Sequence, residues 1–178
     1  MSTTARDQLV RLLEQHPDSP EIEKLVAAAE EGNSVNLTRD LELLAGVWDL
    51  RWSSSKQPWL KQAPWLENLQ VLDPSHARGC NLLRLAGPIG SAGGISVQAD
   101  LNPVSEQRVE VCFRRGGWVG PRLLGSKRLS LMRAVKQSFP AWLDITALDK
   151  HLRICRGNAG TVFCLLRRPD LSVSDYFD

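Results

Sequence analysis

From Gly46 onward, apolar and polar residues alternate with a period of two. Trp48, Leu50 and Trp52 fall on one face and Val47, Asp49, Arg51 and Ser53 on the other, the pattern of a half-buried strand. The alternation returns in Ile95, Val97, Ala99 and Leu101, breaks at Asn102-Pro103, and resumes in Val109, Val111 and Phe113. Further strands are predicted at 80–86, about 128–133, 142–148, 150–155 and 161–167, with Gly, Pro and Asn turns between them. Residues 152–167 read as two strands hinged on Asn158-Ala-Gly160. This makes about seven or eight antiparallel strands, a number that escapes exposed edges most readily by closing into a barrel.

Ahead of the strands the period is helical. Thr4-x-x-Asp7 can cap a helix with Leu9, Leu12 and Leu13 on one side, ending at His16-Pro17. A second helix is predicted with Ser19 as N-cap, Pro20 as its first residue, Glu21 and Glu23 at the positive end of the dipole, and Gly32 at its end. A short helical turn around Thr38–Leu44 leads into the first strand. The run Thr161–Leu166 is apolar on both faces, so something must cover its outer side, and the helices' Leu9, Leu12, Leu13, Ile22, Leu25 and Val26 supply that cover. The expected fold is α+β, mostly β: an antiparallel β-barrel preceded by an N-terminal helical pair. One domain is expected over 1–178, with helices at 1–35 packed on the barrel, the barrel at 36–170 and a tail at 171–178.

Composition narrows the class. At 178 residues, 43% hydrophobic and 24% charged, the chain suits one globular core. The longest uncharged stretch, Leu85–Ala99, holds four glycines and a proline and is too short and broken to span a bilayer. No apolar targeting segment follows Met1, so a soluble or membrane-peripheral protein in the cytoplasm is expected. Cys80, Cys112, Cys155 and Cys164 form no Cys-x-x-Cys pair and sit in apolar contexts, as reduced, small hydrophobes would. His16, His76 and His151 share no ligand spacing with them, and neither a metal nor another cofactor is expected. Gly87–Gly94 has neither Gly-x-Gly-x-x-Gly nor a Gly-Lys-Ser/Thr ending and reads as a strand connection. Without Gly-x-Ser-x-Gly, the serines give catalysis little support.

Two segments carry a family likeness. Gly46-Val-Trp-Asp-Leu-Arg-Trp-Ser-Ser-Ser55, and the closing Leu152-Arg-Ile-Cys-Arg-Gly-Asn-Ala-Gly-Thr-Val-Phe-Cys-Leu-Leu-Arg167, are similar to the pattern of the plastid lipid-associated proteins, or fibrillins, of plastids and cyanobacteria. That family resembles lipocalins in fold. The resemblance implies a lipocalin-like barrel, with the glycine letting the chain enter tightly, Trp48 plugging the closed end and an arginine from the last strands stacked on the indole. Lacking a targeting extension, the chain looks like a cyanobacterial-type member.

The candidate ligand-binding residues are Trp48, Leu50, Trp52, Val111 and Phe113 on the presumed inner faces, with Trp59 in a proline-rich loop and Arg156 reaching the plug. The loop's Trp59 and Trp65 either gate an apolar mouth or pack it shut. Charge is uneven: residues 1–50 carry ten Asp/Glu against four Lys/Arg, whereas residues 106–136 carry eight Lys/Arg against two Glu. Within that basic region Arg114, Arg115, Arg122, Lys127 and Arg128 surround Trp118 and suit either ordinary solvated charge or an anionic membrane surface. Nucleic acid is not an expected partner, because no recognition helix or stacking sheet accompanies the charge and the net value is only +2. The function expected from the resemblance is non-catalytic binding of a lipophilic small molecule (lipid, quinone, carotenoid or tocopherol), with peripheral attachment to thylakoid membranes. The alternatives are a lipocalin-like enzyme such as a bilin lyase, and a lipid-particle coat protein with no internal ligand.

Overall fold

A computed structural model describes residues 4–57, 60, 63–122, 128–137 and 139–177, with Ser91 and Arg122 described in backbone alone. Helix α1 spans Ala5–Gln15, and the Thr4 hydroxyl accepts the Asp7 N–H at 3.2 Å while donating to the Asp7 carboxylate at 2.8 Å. Helix α2 spans Ile22–Glu31. The Ser19 hydroxyl accepts the Glu21 N–H at 3.4 Å, but Pro20-Glu21 form a turn, so regular helix begins later than the sequence suggests. Helix α3, Leu37–Leu44, is capped by the Asn36 side chain on the Thr38 N–H at 3.0 Å.

Nine strands follow among the described residues: β1 Gly46–Ser53, β2 Leu66–Asp73, β3 Arg78–Leu85, β4 Gly94–Pro103, β5 Arg108–Arg122, β6 Arg128–Ala134, β7 Ala141–Leu148, β8 Leu152–Gly157 and β9 Val162–Arg167. Eight close an antiparallel barrel in the cyclic order β1-β2-β3-β4-β5-β7-β8-β9. β5 is long enough to serve two neighbours: residues 108–111 pair with β7, and its C-terminal half pairs with β6. The segment 87–92 is a 3-10 connection between β3 and β4.

Three apolar clusters hold the molecule. Inside one end of the barrel, Trp48, Leu50, Leu72, Leu101, Val109, Ile145, Leu148, Cys155 and Leu165 pack against Val35, Leu37 and Leu44, so α3 closes that end. On the outer wall, Leu9, Leu13, Ile22, Val26 and Ala29 cover Ala147, Leu152, Ile154, Val162 and Cys164. β9 is apolar on both faces because one face lines the barrel and the other lies under α1 and α2. A third cluster sets Leu171, Val173, Tyr176 and Phe177 of the C-terminal segment against Val47, Leu69, Val71, Cys80, Leu82 and Val119.

The helices are also fastened by polar contacts. Arg156 grips Glu30 through two hydrogen bonds of 2.9 and 2.6 Å, and Arg6 grips Asp149 through two of 2.9 Å. Arg51 on β1 donates to the carbonyls of Leu13 and Glu14, satisfying the C-terminal end of α1. All four cysteines are free, and Cys155 and Cys164 face opposite sides of the wall.

Candidate functional site: a cavity with one polar wall

The barrel is hollow. A cavity of about 630 Å³ lies above the plugged end, within the range of small-ligand pockets. Its wall is mostly apolar: Leu83 of β3, Val97 and Leu101 of β4, Val111 and Phe113 of β5, and Leu143 of β7, with Phe163 from β9. At the other end Val135 and Phe139 stand around the mouth, and Ile95, Phe139 and Leu131 are more than half exposed.

One wall differs. β2 and β3 turn Asn68, Gln70 and Asn81 into the cavity, with Gln70 directly opposite Asn81 in the ladder. Behind Gln70 lies Arg153 of β8, fully buried, its Nη2 donating to the Gln70 side-chain carbonyl. Its Nε and Nη1 have no hydrogen-bond partner. The Arg153 guanidinium also lies 5.1 Å from the centre of a Trp48 ring. Burial pushes its pKa down to about 10, leaving it charged at neutral pH. Burial also pushes the neighbouring Cys155 thiol up, so it stays protonated.

The Trp48 plug is built from both ends of the barrel sequence. Its indole N–H donates to the Leu44 carbonyl at 3.0 Å, and the Arg167 guanidinium lies 4.3 Å from a ring centre. Arg167 also donates to the carbonyls of Leu43 and Ala45 at the end of α3. Gly46 has a φ of +141°, and a Cβ there would run into that guanidinium.

These features have counterparts in known sequences. The family model described as PAP_fibrillin matches residues 11–166. The chain belongs to the PAP_fibrillin family. Among curated proteins, the probable plastid-lipid-associated protein 2, chloroplastic, of Arabidopsis thaliana is 29% identical over 194 residues, covering 83% of this chain and 62% of that protein. This PAP_fibrillin chain therefore spans less than two thirds of that relative's length. No solved structure matches it significantly.

Placement of the expected site residues in this PAP_fibrillin barrel is mixed. Val111 and Phe113 line the cavity. Trp48 and Leu50 face inward but belong to the packed closed end. Trp52 is a correction: the β1–β9 register shifts between Leu50 and Trp52, and this bulge turns Trp52 onto the outer wall under the helices. Arg156 is another correction, since its face, shared with Leu152 and Ile154, is the outer one and its partner is Glu30; the stacking arginines are Arg153 and Arg167. Trp59 and Lys127 lie outside the described residues, as does the side chain of Arg122.

Of the remaining basic residues, Arg115 and Arg128 line one outer pocket with Val119 and Met132, on the face of the sheet opposite Trp118. Arg114 donates to Asp100 at 2.6 Å and Arg115 to Gln98 at 2.6 Å, while Arg128 lies 5.7 Å from the Tyr176 ring centre. Trp118 stands opposite Ile95 on β4 and Leu131 on β6, continuing the inner face, and Arg133 shares that face through its pairing with Gly116. The sequence reading missed Asn68, Gln70, Asn81 and Arg153. For Arg153 a signal existed: it is the residue between Leu152 and Ile154, which share the face that the helices cover.

Proposed function

We propose that this protein is a non-catalytic carrier that holds a hydrophobic small molecule, such as a lipid, quinone, carotenoid or tocopherol, inside the barrel at or near photosynthetic membranes. The observation that carries the reading is the open cavity of about 630 Å³ with a largely apolar wall. Its wall-mounted polar groups include amides, which neither gain nor lose a proton in the working pH range, and this favours holding a ligand over transforming one. The name of the Arabidopsis relative, plastid-lipid-associated and chloroplastic, supports the setting. The apolar lip around Trp118 and Leu131 supports loading from a membrane surface.

The test begins with protein purified from its native host and its organic extract. The same protein is then delipidated and titrated with quinones, carotenoids and fatty acids while tryptophan emission is followed. Stoichiometric extractable lipid and a saturable response are expected, with Val97→Trp abolishing the response by filling the cavity. An empty extract and no saturation across the panel would instead favour a coat protein, and covalent transfer of a chromophore would favour a lyase.

A further inference from the structure

We propose that the ligand enters head first and carries a carboxylate, which seats on the Gln70 amide with Arg153 behind it as counter-charge. This rests on the carrier reading and specifies the chemistry of the same cavity. Arg153 is fully buried, and two of its donor nitrogens are unpaired. A buried cation without an anionic partner is costly, and an anion arriving nearby repays that cost. A guanidinium has donors alone, so Gln70 must present its carbonyl oxygen to Arg153 and turn its N–H₂ donors away from it. Gln70 lines the cavity, as do its ladder partner Asn81 and its neighbour Asn68. The wall thus offers amide donors backed by positive charge, and Gln70 among them pairs in the ladder with Trp48 of the closed end.

An apolar chain then lies along Val97, Val111, Phe113 and Phe163 toward the lip. A neutral head would meet the same amides but gain less, because hydrogen bonds to charged groups are the stronger ones and the buried cation would stay uncompensated. The inward polar residues of β2 therefore act as specificity determinants.

The test compares delipidated wild-type protein, Gln70→Leu and Arg153→Met against palmitate, methyl palmitate and the hydrocarbon of equal length. Binding is followed by calorimetry and folding by cooperative melting. Wild-type protein is expected to bind palmitate at least about tenfold more tightly than the ester. Gln70→Leu should bring that ratio close to one, lowering acid affinity far more than ester affinity, a result that a merely structural role for Gln70, which would weaken both alike, would not produce. If Arg153→Met fails to fold, Gln70→Leu decides alone. Equal affinity for acid and ester in wild-type protein, or an acid preference that survives Gln70→Leu, overturns the proposal while leaving the carrier reading intact. Saturable binding of none of the three probes overturns the carboxylate proposal, and the carrier reading also falls if the broader panel of quinones and carotenoids fails.

Discussion

Arg167, the last residue of β9, joins three parts of the molecule. It stacks on Trp48, donates to the carbonyls that end α3, and reaches the Lys150 carbonyl at 2.8 Å in the turn before β8. That position is available because Gly46 leaves room for the guanidinium, so the glycine two residues before the tryptophan serves the arginine as much as the backbone. Gly46→Ala should therefore do more harm than Gly160→Ala. Gly160 also has positive φ, at +75°, but nothing lies within 4 Å of where its Cβ would be, so its cost is confined to backbone conformation, about 1–2 kcal/mol. At Gly46 strain and displacement of Arg167 add, and a loss of roughly 3–4 kcal/mol is expected. Urea unfolding of the two variants measures both; equal losses would show that Arg167 yields without consequence.

Among the elements, legibility depended on which way each strand faces. β1, β4 and the start of β5 place apolar residues inside and were visible as alternation. β2 went unassigned because its pattern is inverted: Asn68 and Gln70 face the cavity, while Leu69 and Val71 face out and are buried by Leu171, Val173, Tyr176 and Phe177. The same inversion hid the polar half of the site, since reading apolar residues as inward finds Val111 and Phe113 but not Gln70. A bulge is equally silent in sequence, and one bulge sufficed to move Trp52 outside. The attachment of α1 and α2 makes its own prediction. Burial works to raise the Glu30 carboxyl, but hydrogen bonds from Arg156 and Thr146 outweigh it and leave the value below an ordinary glutamate. For Asp149, burial is likewise outweighed by Arg6 and by the N–H groups of His151 and Leu152. Both groups bind protons less readily folded than unfolded. Their stabilisation is fully present above the ordinary carboxylate range near about pH 4 and disappears as pH falls through the lowered folded values. Unfolding midpoints at about pH 6 and about pH 3 should show a smaller acid loss for the Glu30→Gln, Asp149→Asn double variant than for the parent. An unchanged acid loss would place the responsible carboxylates elsewhere.

At the scale of the whole molecule, the barrel has two unlike ends. α3, Trp48 and Arg167 shut one, whereas the other widens into a lip because β5 outgrows the barrel, leaves β7 and continues beside β6. The lip's inner face carries Trp118, Leu131 and Arg133, and its reverse face is covered by the C-terminal segment through Val119 and Met132. On the carrier reading, an apolar face continuous with an apolar cavity is the path by which a ligand would pass from a bilayer without crossing water. Arg133 on that same face favours an anionic one. Sedimentation with anionic vesicles should show binding that weakens as added salt cuts the Debye length from about 10 Å at 0.1 M to about 3 Å at 1 M. Burying a large apolar side chain is worth about 1.5–3 kcal/mol, so Trp118→Ser with Leu131→Ser, both exposed already, should cost at least about tenfold in vesicle affinity at little cost in folding. Arg133→Glu should lower binding to anionic vesicles and leave neutral ones unaffected, whereas Arg114→Ala should change little because Arg114 is paired with Asp100 on the outer wall. Parent protein that binds neutral vesicles as well as anionic ones, or a serine double variant that sediments like the parent, would place membrane contact away from the lip.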